Sequence, residues 1–143
     1  MKKSFFIMIA LFIAIVGIVL IFIKDVQSNQ KAIQKINSTY EKCLQQEVRG
    51  TDVASMINSA VNSNEKYHIT KDDDGNYVDD GNYSIRIFVK LQAGVNYYNM
   101  EKIYSNNIAE FVKNFNLENF KCTKIEYHNK SKRVAKVYFE ILW

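Results

Sequence analysis

Twenty consecutive residues, Ser4 to Ile23, carry no charge, and only Ser4 and Gly17 stand outside the strongly apolar class. A helix of that length spans about 30 Å, the hydrocarbon thickness of a bilayer. A helix apolar on every side needs lipid around it or a protein far larger than 143 residues. The apolar part of a cleaved signal peptide is shorter, about 7 to 15 residues, and is followed by a small-x-small cleavage site. After Ile23 the chain reads Lys24-Asp25-Val26-Gln27-Ser28-Asn29, with no such site. Residues 4–23 are therefore expected to be an uncleaved transmembrane helix, with Phe5, Phe6, Leu11, Phe12, Leu20 and Phe22 among its anchoring side chains.

Flanking charge sets the expected topology. Lys2 and Lys3 precede the segment, whereas Lys24 behind it is offset by Asp25. The positive-inside rule then keeps residues 1–3 cytoplasmic and places everything from Lys24 onward outside. The mean hydropathy of −0.22 averages this anchor with a polar remainder. That remainder, about 120 residues, suffices for one small domain and excludes a multidomain enzyme. Two Cys exclude a disulfide-dense scaffold, and 48% hydrophobic residues exclude a disordered low-complexity chain.

Periodicity orders the remainder. Val26, Ile33, Ile36, Tyr40, Cys43 and Leu44 fall on one helical stripe, so residues 24–49 are expected to form a stalk helix stopped by Gly50. Thr51 or Asp52 caps a second helix to about Asn64, with Val53, Met56, Ile57, Ala60 and Val61 facing a sheet. Next the pentapeptide Asp-Asp-Gly-Asn-Tyr occurs twice, at residues 73–77 and 79–83. Asp-Gly is a hairpin signal, so Tyr67–Thr70 reads as a strand turning there. Ser84 to Gln92 alternates strictly, with Ile85, Ile87, Val89 and Leu91 on one face. After Ala93-Gly94, Asn96–Tyr104 reads as a strand, although Met100, Ile103 and Tyr104 also suit a helix. A third helix begins at Ser105 with Ile108, Phe111, Val112 and Phe115 on its stripe. A hairpin of Phe120–His128 and Arg133–Leu142 closes the chain. The expected fold is α+β: a transmembrane helix, a stalk, then, over residues 50–143, an antiparallel sheet with helices packed on one face.

Chemistry is sparse. The five Asp between residues 72 and 80 suggest a calcium loop, but an EF-hand needs acidic or amide ligands at positions 1, 3 and 5 and Glu at position 12. With Gly75 sixth, the first and twelfth positions are Thr70 and Gly81; with Gly81 sixth, the third is Val78. Both registers fail, leaving a solvated, turn-forming loop. His68 and His128 are sixty residues apart, too far for a local zinc pair, and read as surface residues near strand ends. There is no phosphate-cradling loop, no G-x-S-x-G and no nucleophile motif around either Cys. No catalytic, metal or cofactor residue is expected, and the chain is not expected to be an enzyme.

Cys43 and Cys122 both fall outside the membrane, where a disulfide persists; the alternative is two buried, reduced thiols packed as apolar residues. Beyond residue 3, seventeen Lys and Arg face fifteen acids, a net +2. The excess gathers in Phe120–Trp143, where six basic residues oppose Glu126 and Glu140. Without a nucleic-acid motif this is a solvated hairpin face, and nucleic acid is not an expected partner. The expected partners are the bilayer and a protein, another copy of the chain included.

Sixteen Lys, seventeen Ile and fifteen Asn against three Arg and no Pro point to an AT-rich genome. With the runs Gly50-Thr51-Asp52-Val53-Ala54-Ser55-Met56-Ile57-Asn58 and Phe120-Lys121-Cys122-Thr123-Lys124-Ile125-Glu126-Tyr127-His128, the chain resembles short membrane-anchored proteins of clostridia-like Gram-positive bacteria. That resemblance implies placement rather than chemistry. In architecture the chain also resembles type IV pilins and pseudopilins, which implies a minor filament or secretion-system subunit. Those have Gly before the mature N-terminus and Glu at its fifth position; here Ser4 precedes Phe5, and Ile9 stands in the Glu position.

Overall fold

The computed structural model describes residues 2–143, so Met1 and the Lys2 side chain, both part of the expected inner tail, lie outside the described residues. The chain divides into two units, one through residue 35 and one from residue 36 onward. In the first, helix α1 (Lys2–Glu41) begins and carries the apolar segment. Its most apolar stretch has a mean hydropathy of 3.4 with none of it buried. From Phe5 to Ile23 every large apolar side chain is at least 40% exposed. This is a helix long and apolar enough to cross a membrane.

The second unit corrects the stalk reading. α1 ends at Glu41 rather than near Arg49; Lys42–Leu44 form a 3-10 turn and Val48–Arg49 form strand β1. The helical stripe is interrupted because Tyr40 and Cys43 enter the core and Val48 pairs with Phe120. Tertiary pairing there outweighs local helix propensity. Gly50 opens helix α2 (Gly50–Lys66) instead of closing the stalk. The Arg49 N–H donates to Asp52 Oδ2 at 3.1 Å, so Asp52 acts as the third helical residue and not as the cap. Glycine is required for proximity: a Cβ on Gly50 would lie 2.0 Å from the Phe115 carbonyl oxygen.

Val53, Met56, Ile57, Ala60 and Val61 of α2 are buried as their spacing predicts, and Asn64 at its end is completely buried. Asn64 Nδ2 donates to the Ile85 carbonyl and Oδ1 accepts from the Ile85 N–H, both at 2.8 Å. This clasp sets the start of β2 (Arg86–Lys90), whose Ile87 and Val89 point into the core. The segment Tyr67–Thr70 is not a strand. His68 adopts φ +54°, the Ile69 N–H donates to the Asn64 carbonyl, and Lys71 makes a lone bridge to Tyr77. The expected Asn96–Tyr104 strand shrinks to β3 (Tyr98–Asn99), followed by helix α3 (Met100–Ser105). Met100 and Ile103, one helical turn apart, are both buried, so the helical option wins there. Asn107, at φ +79°, breaks the chain before α4 (Ile108–Phe115), and its side chain accepts from the Ala109 N–H to cap it.

The hairpin of β4 (Asn119–Tyr127) and β5 (Val134–Ile141) forms as its alternation predicts. Among the described residues five strands make one sheet in the order β1-β4-β5-β2-β3. The class is α+β as expected, but the sheet is mixed: β2 runs parallel to β5, with Ile87 opposite Val137. The helical layer meets the face carrying Phe120, Cys122, Val137 and Phe139, all buried.

Gly50 supplies a direct check on this packing. Gly50→Ala is expected to lower stability by about 2 to 3 kcal/mol, because backbone atoms rather than a flexible side chain must move. Chemical denaturation of the domain measures it; an unchanged midpoint would contradict the close approach.

Candidate functional site

The second unit holds a cleft of about 770 Å³ between the first pentapeptide, the β3 edge and α3. Its walls are tyrosines and asparagines, among them Asn76, Tyr77, Tyr97, Tyr98 and Asn99, with Glu101 and Lys102 from α3. The first pentapeptide reaches this place through its own turn. Asp72 Oδ1 accepts from the N–H groups of Asp74 and Asn76, and Gly75 takes φ +80°. Tyr77 then enters the core at 2% exposure, and its N–H donates to Glu101 Oε1 at 3.0 Å. Asn99 Nδ2 donates to Asn76 Oδ1 at 3.1 Å, joining β3 to the loop.

Two features bear on recognition. The lysines cover ring faces: Lys71 Nζ lies 4.6 Å from the Tyr77 ring centre and Lys102 Nζ 5.4 Å from that of Tyr98. Two buried atoms at the cleft also lack a hydrogen-bond partner among the described residues, the Tyr77 hydroxyl and Glu101 Oε2. Burial, then the charges of Glu65 and Glu101, hold the Tyr77 phenol above its ordinary range, so it stays a neutral donor. Removing that orphan donor without changing shape tests the geometry. Tyr77→Phe is expected to leave the fold intact and raise stability by about 1 kcal/mol. A loss of stability in thermal melts would show that the hydroxyl has a partner.

The second pentapeptide has the same sequence and a different arrangement. The residue before it is Val78, which offers no oxygen, whereas Asp72 precedes the first pair of aspartates. Here Asp80 Oδ1 takes the N–H groups of Asn82, Tyr83 and Ser84, and Asp79 Oδ1 takes that of Gly81. His128, read from the sequence as a surface residue, is 4% exposed. Its Nε2 meets the Ser84 carbonyl at 2.7 Å and its Nδ1 lies 3.6 Å from Asp79 Oδ1. A carbonyl only accepts, so Nε2 carries a hydrogen there. Asp79, Asp80 and His128 thus come together, with one ligand atom of each within 4.8 Å of the others. Sequence distance conceals this grouping. Oδ1 of each aspartate is engaged by the turn, which makes the group a lock on the loop. His68, by contrast, is exposed.

Burial alone would raise the Asp80 carboxyl, but the N–H donors of Ser84, Asn82 and Tyr83 outweigh it and bring it to about 2, against an ordinary 3.8. A carboxyl held low stabilises the fold above its unfolded value, and that stabilisation is lost as pH falls from about 4 toward 2. Asp72 is also held low, through its Asn76 hydrogen bond, and acts in the same direction. Asp80→Asn is expected to cost about 1 kcal/mol at neutral pH and to flatten the acid limb of the stability curve. Equal acid sensitivity of the two proteins would remove Asp80 from the lock.

Beside the lock, Arg133 is 4% exposed and has no carboxylate partner among the described residues. Its guanidinium lies 4.8 Å and 5.0 Å from the ring centres of Tyr67 and Tyr83, which stack on each other at 4.5 Å. Part of the basic excess assigned to the hairpin face is therefore internal. Of the other sequence-derived residues, the expected anchor side chains Phe5, Phe6, Leu11, Phe12, Leu20 and Phe22 are exposed along α1, as is Lys3. Cys43 and Cys122 are both buried and unbridged. No family model matches the chain, and neither the curated proteins nor the solved structures compared with it contain a match.

Proposed function

We propose that the chain is a non-catalytic, membrane-anchored protein whose folded domain lies outside the cell and binds a protein partner through the tyrosine–asparagine cleft, as part of an envelope assembly. The observation that carries this reading is the bare apolar helix, at least 40% exposed at every large apolar side chain from Phe5 to Ile23. Such a surface is unfavourable in water and at home in hydrocarbon, where the helix also satisfies its own backbone. Lys2 and Lys3 support the inward N-terminus. The resemblance to anchored proteins of AT-rich Gram-positive bacteria points to the same placement.

Binding rather than catalysis follows from what lines the cleft. Its serine, Ser105, donates its hydroxyl to the Lys102 carbonyl at 3.2 Å, beside no base. Lys71 and Lys102 balance Asp74 and Glu101, so the cleft does not select a highly charged ligand. With Lys71 and Lys102 over the Tyr77 and Tyr98 rings, the remaining recognition chemistry is amide and phenol hydrogen bonding. That suits an extended protein segment laid against the two-residue edge strand β3.

Photo-cross-linking in intact cells tests both halves. A cross-linker replacing Tyr97 or Tyr104 is expected to give one discrete adduct, and one replacing Leu117, 74% exposed and outside the cleft, to give none. An adduct with a second copy would make the assembly homomeric. Absence of any cleft adduct would overturn the partner, and extraction by alkaline carbonate would overturn the anchor. A mature N-terminus lacking Met1 to Ser4 would favour the pilin-like reading instead.

A further inference from the structure

Cys43 and Cys122 are 79 positions apart in sequence, yet the fold buries both in one cluster. The segment from Glu41 to Val48 is laid along β4 and held at both ends. At one end Tyr127 Oη donates to Glu41 Oε1 at 2.7 Å; at the other Val48 pairs with Phe120. Cys122 lies between those two points on β4, and Cys43 lies between them on the 3-10 turn. Both side chains belong to one buried cluster, at 1% and 3% exposure, where the 3-10 turn packs on β4. Neither cysteine has a metal-ligand group beside it among the described residues that makes a three-member cluster.

We propose that Cys43 and Cys122 form an intramolecular disulfide in the mature protein, made as the domain folds. The proposal rests on the exterior placement argued above, because a buried pair inside the cytoplasm stays reduced. The oxidant is a disulfide, on a small molecule or on a protein. One cysteine thiolate attacks it, forms a mixed disulfide and releases the first oxidant sulfur as a thiolate. The second cysteine sulfur then attacks the first; the Cys43–Cys122 bond forms and the second oxidant sulfur leaves. The two protons from the cysteines go to the two released thiolates, and two electrons pass from the pair to the oxidant. In the closed core the Cys43 thiol donates to the Tyr40 carbonyl and the Cys122 thiol to the Lys124 carbonyl at 3.8 Å. Burial places the reaction before the core closes and shields the finished bond afterward.

The bond closes a loop of about 80 residues that contains β1, α2, β2, β3, α3 and α4. Reduction is accordingly expected to lower the melting temperature by on the order of 10 °C.

The test uses the full chain in cells that make it. Thiols are trapped in denaturing acid, then counted with a mass-tagging maleimide before and after a reductant. In the same cells an amine reagent that cannot cross membranes labels exposed lysines such as Lys121 and Lys130. The expected result is outside labelling, no free thiol before reduction, two after it, and one linked peptide pair containing Cys43 and Cys122. Outside labelling with two free thiols would overturn the disulfide and leave the placement standing. Two free thiols without outside labelling would overturn both. A disulfide-linked dimer that the reductant dissolves would overturn the intramolecular pairing.

Discussion

The two hydrogen bonds between the Asn64 side chain and the Ile85 backbone hold the rest of the domain in register. Ile85 is buried at the end of an irregular stretch that begins after α2, and its N–H and C=O have no strand beside them. A buried peptide group left unpaired costs about 1 to 3 kcal/mol. The Asn64 amide copies the edge of a neighbouring strand and removes that cost at both atoms. Its position, one turn beyond Val61 on the buried stripe of α2, means the helix that packs on the sheet also sets where β2 begins. The parallel pairing of β2 with β5, the short β3 and the cleft wall all lie downstream of that point.

The two copies of Asp-Asp-Gly-Asn-Tyr show how a single upstream residue redirects a repeat. Both glycines take the left-handed conformation, φ +80° and +74°, so the backbone bend is common to both. In the first copy Asp72, just outside the repeat, gathers the N–H groups. In the second that place is Val78, and Asp79 and Asp80 take over. The following tyrosines diverge as well: Tyr77 sinks under Lys71, and Tyr83 stacks on Tyr67 beside Arg133. Identical sequence thus yields one wall of a cleft and one lock on the hairpin.

What was legible in the sequence is what periodicity encodes. The long apolar helix follows from twenty uncharged residues in a row, and the buried stripe of α2 and the β4–β5 hairpin follow from spacings of 3.6 and 2 residues, because one continuous face of each is apolar. What was hidden depends on long-range pairing. The end of α1 at Glu41 follows from β1 docking on β4, and the parallel partner of β2 comes from the far end of the chain. His128 looked like a surface residue because nothing nearby in sequence announces the Ser84 carbonyl. The cleft was invisible for the same reason: Asn76 and Asn99 meet across 23 positions. Cys43 and Cys122 share one buried cluster only because the 3-10 turn packs on β4, which no local pattern announces.

The mild positive charge is resolved by where the cations sit. The sheet face opposite the buried cluster carries Phe88 and Tyr138, stacked with ring centres 4.9 Å apart, and no residue of that pair is fully buried. Cations lie over this aromatic surface: Arg86 over Phe88 at 5.1 Å and Lys124 over Tyr138 at 5.7 Å. Alongside, Lys90 reaches both the Tyr97 ring and Glu140. Each contact sets a cation against the negative face of a ring. A half-apolar sheet face is thereby kept soluble without a helix to cover it, and Arg133 repeats the device in the interior, where rings stand in for a carboxylate. Of the basic residues in the hairpin, Lys124 lies over Tyr138, Arg133 stands beside Tyr67 and Tyr83, and Lys136 pairs with Glu126 at 3.4 Å, so half of them are answered inside the domain by rings and a carboxylate.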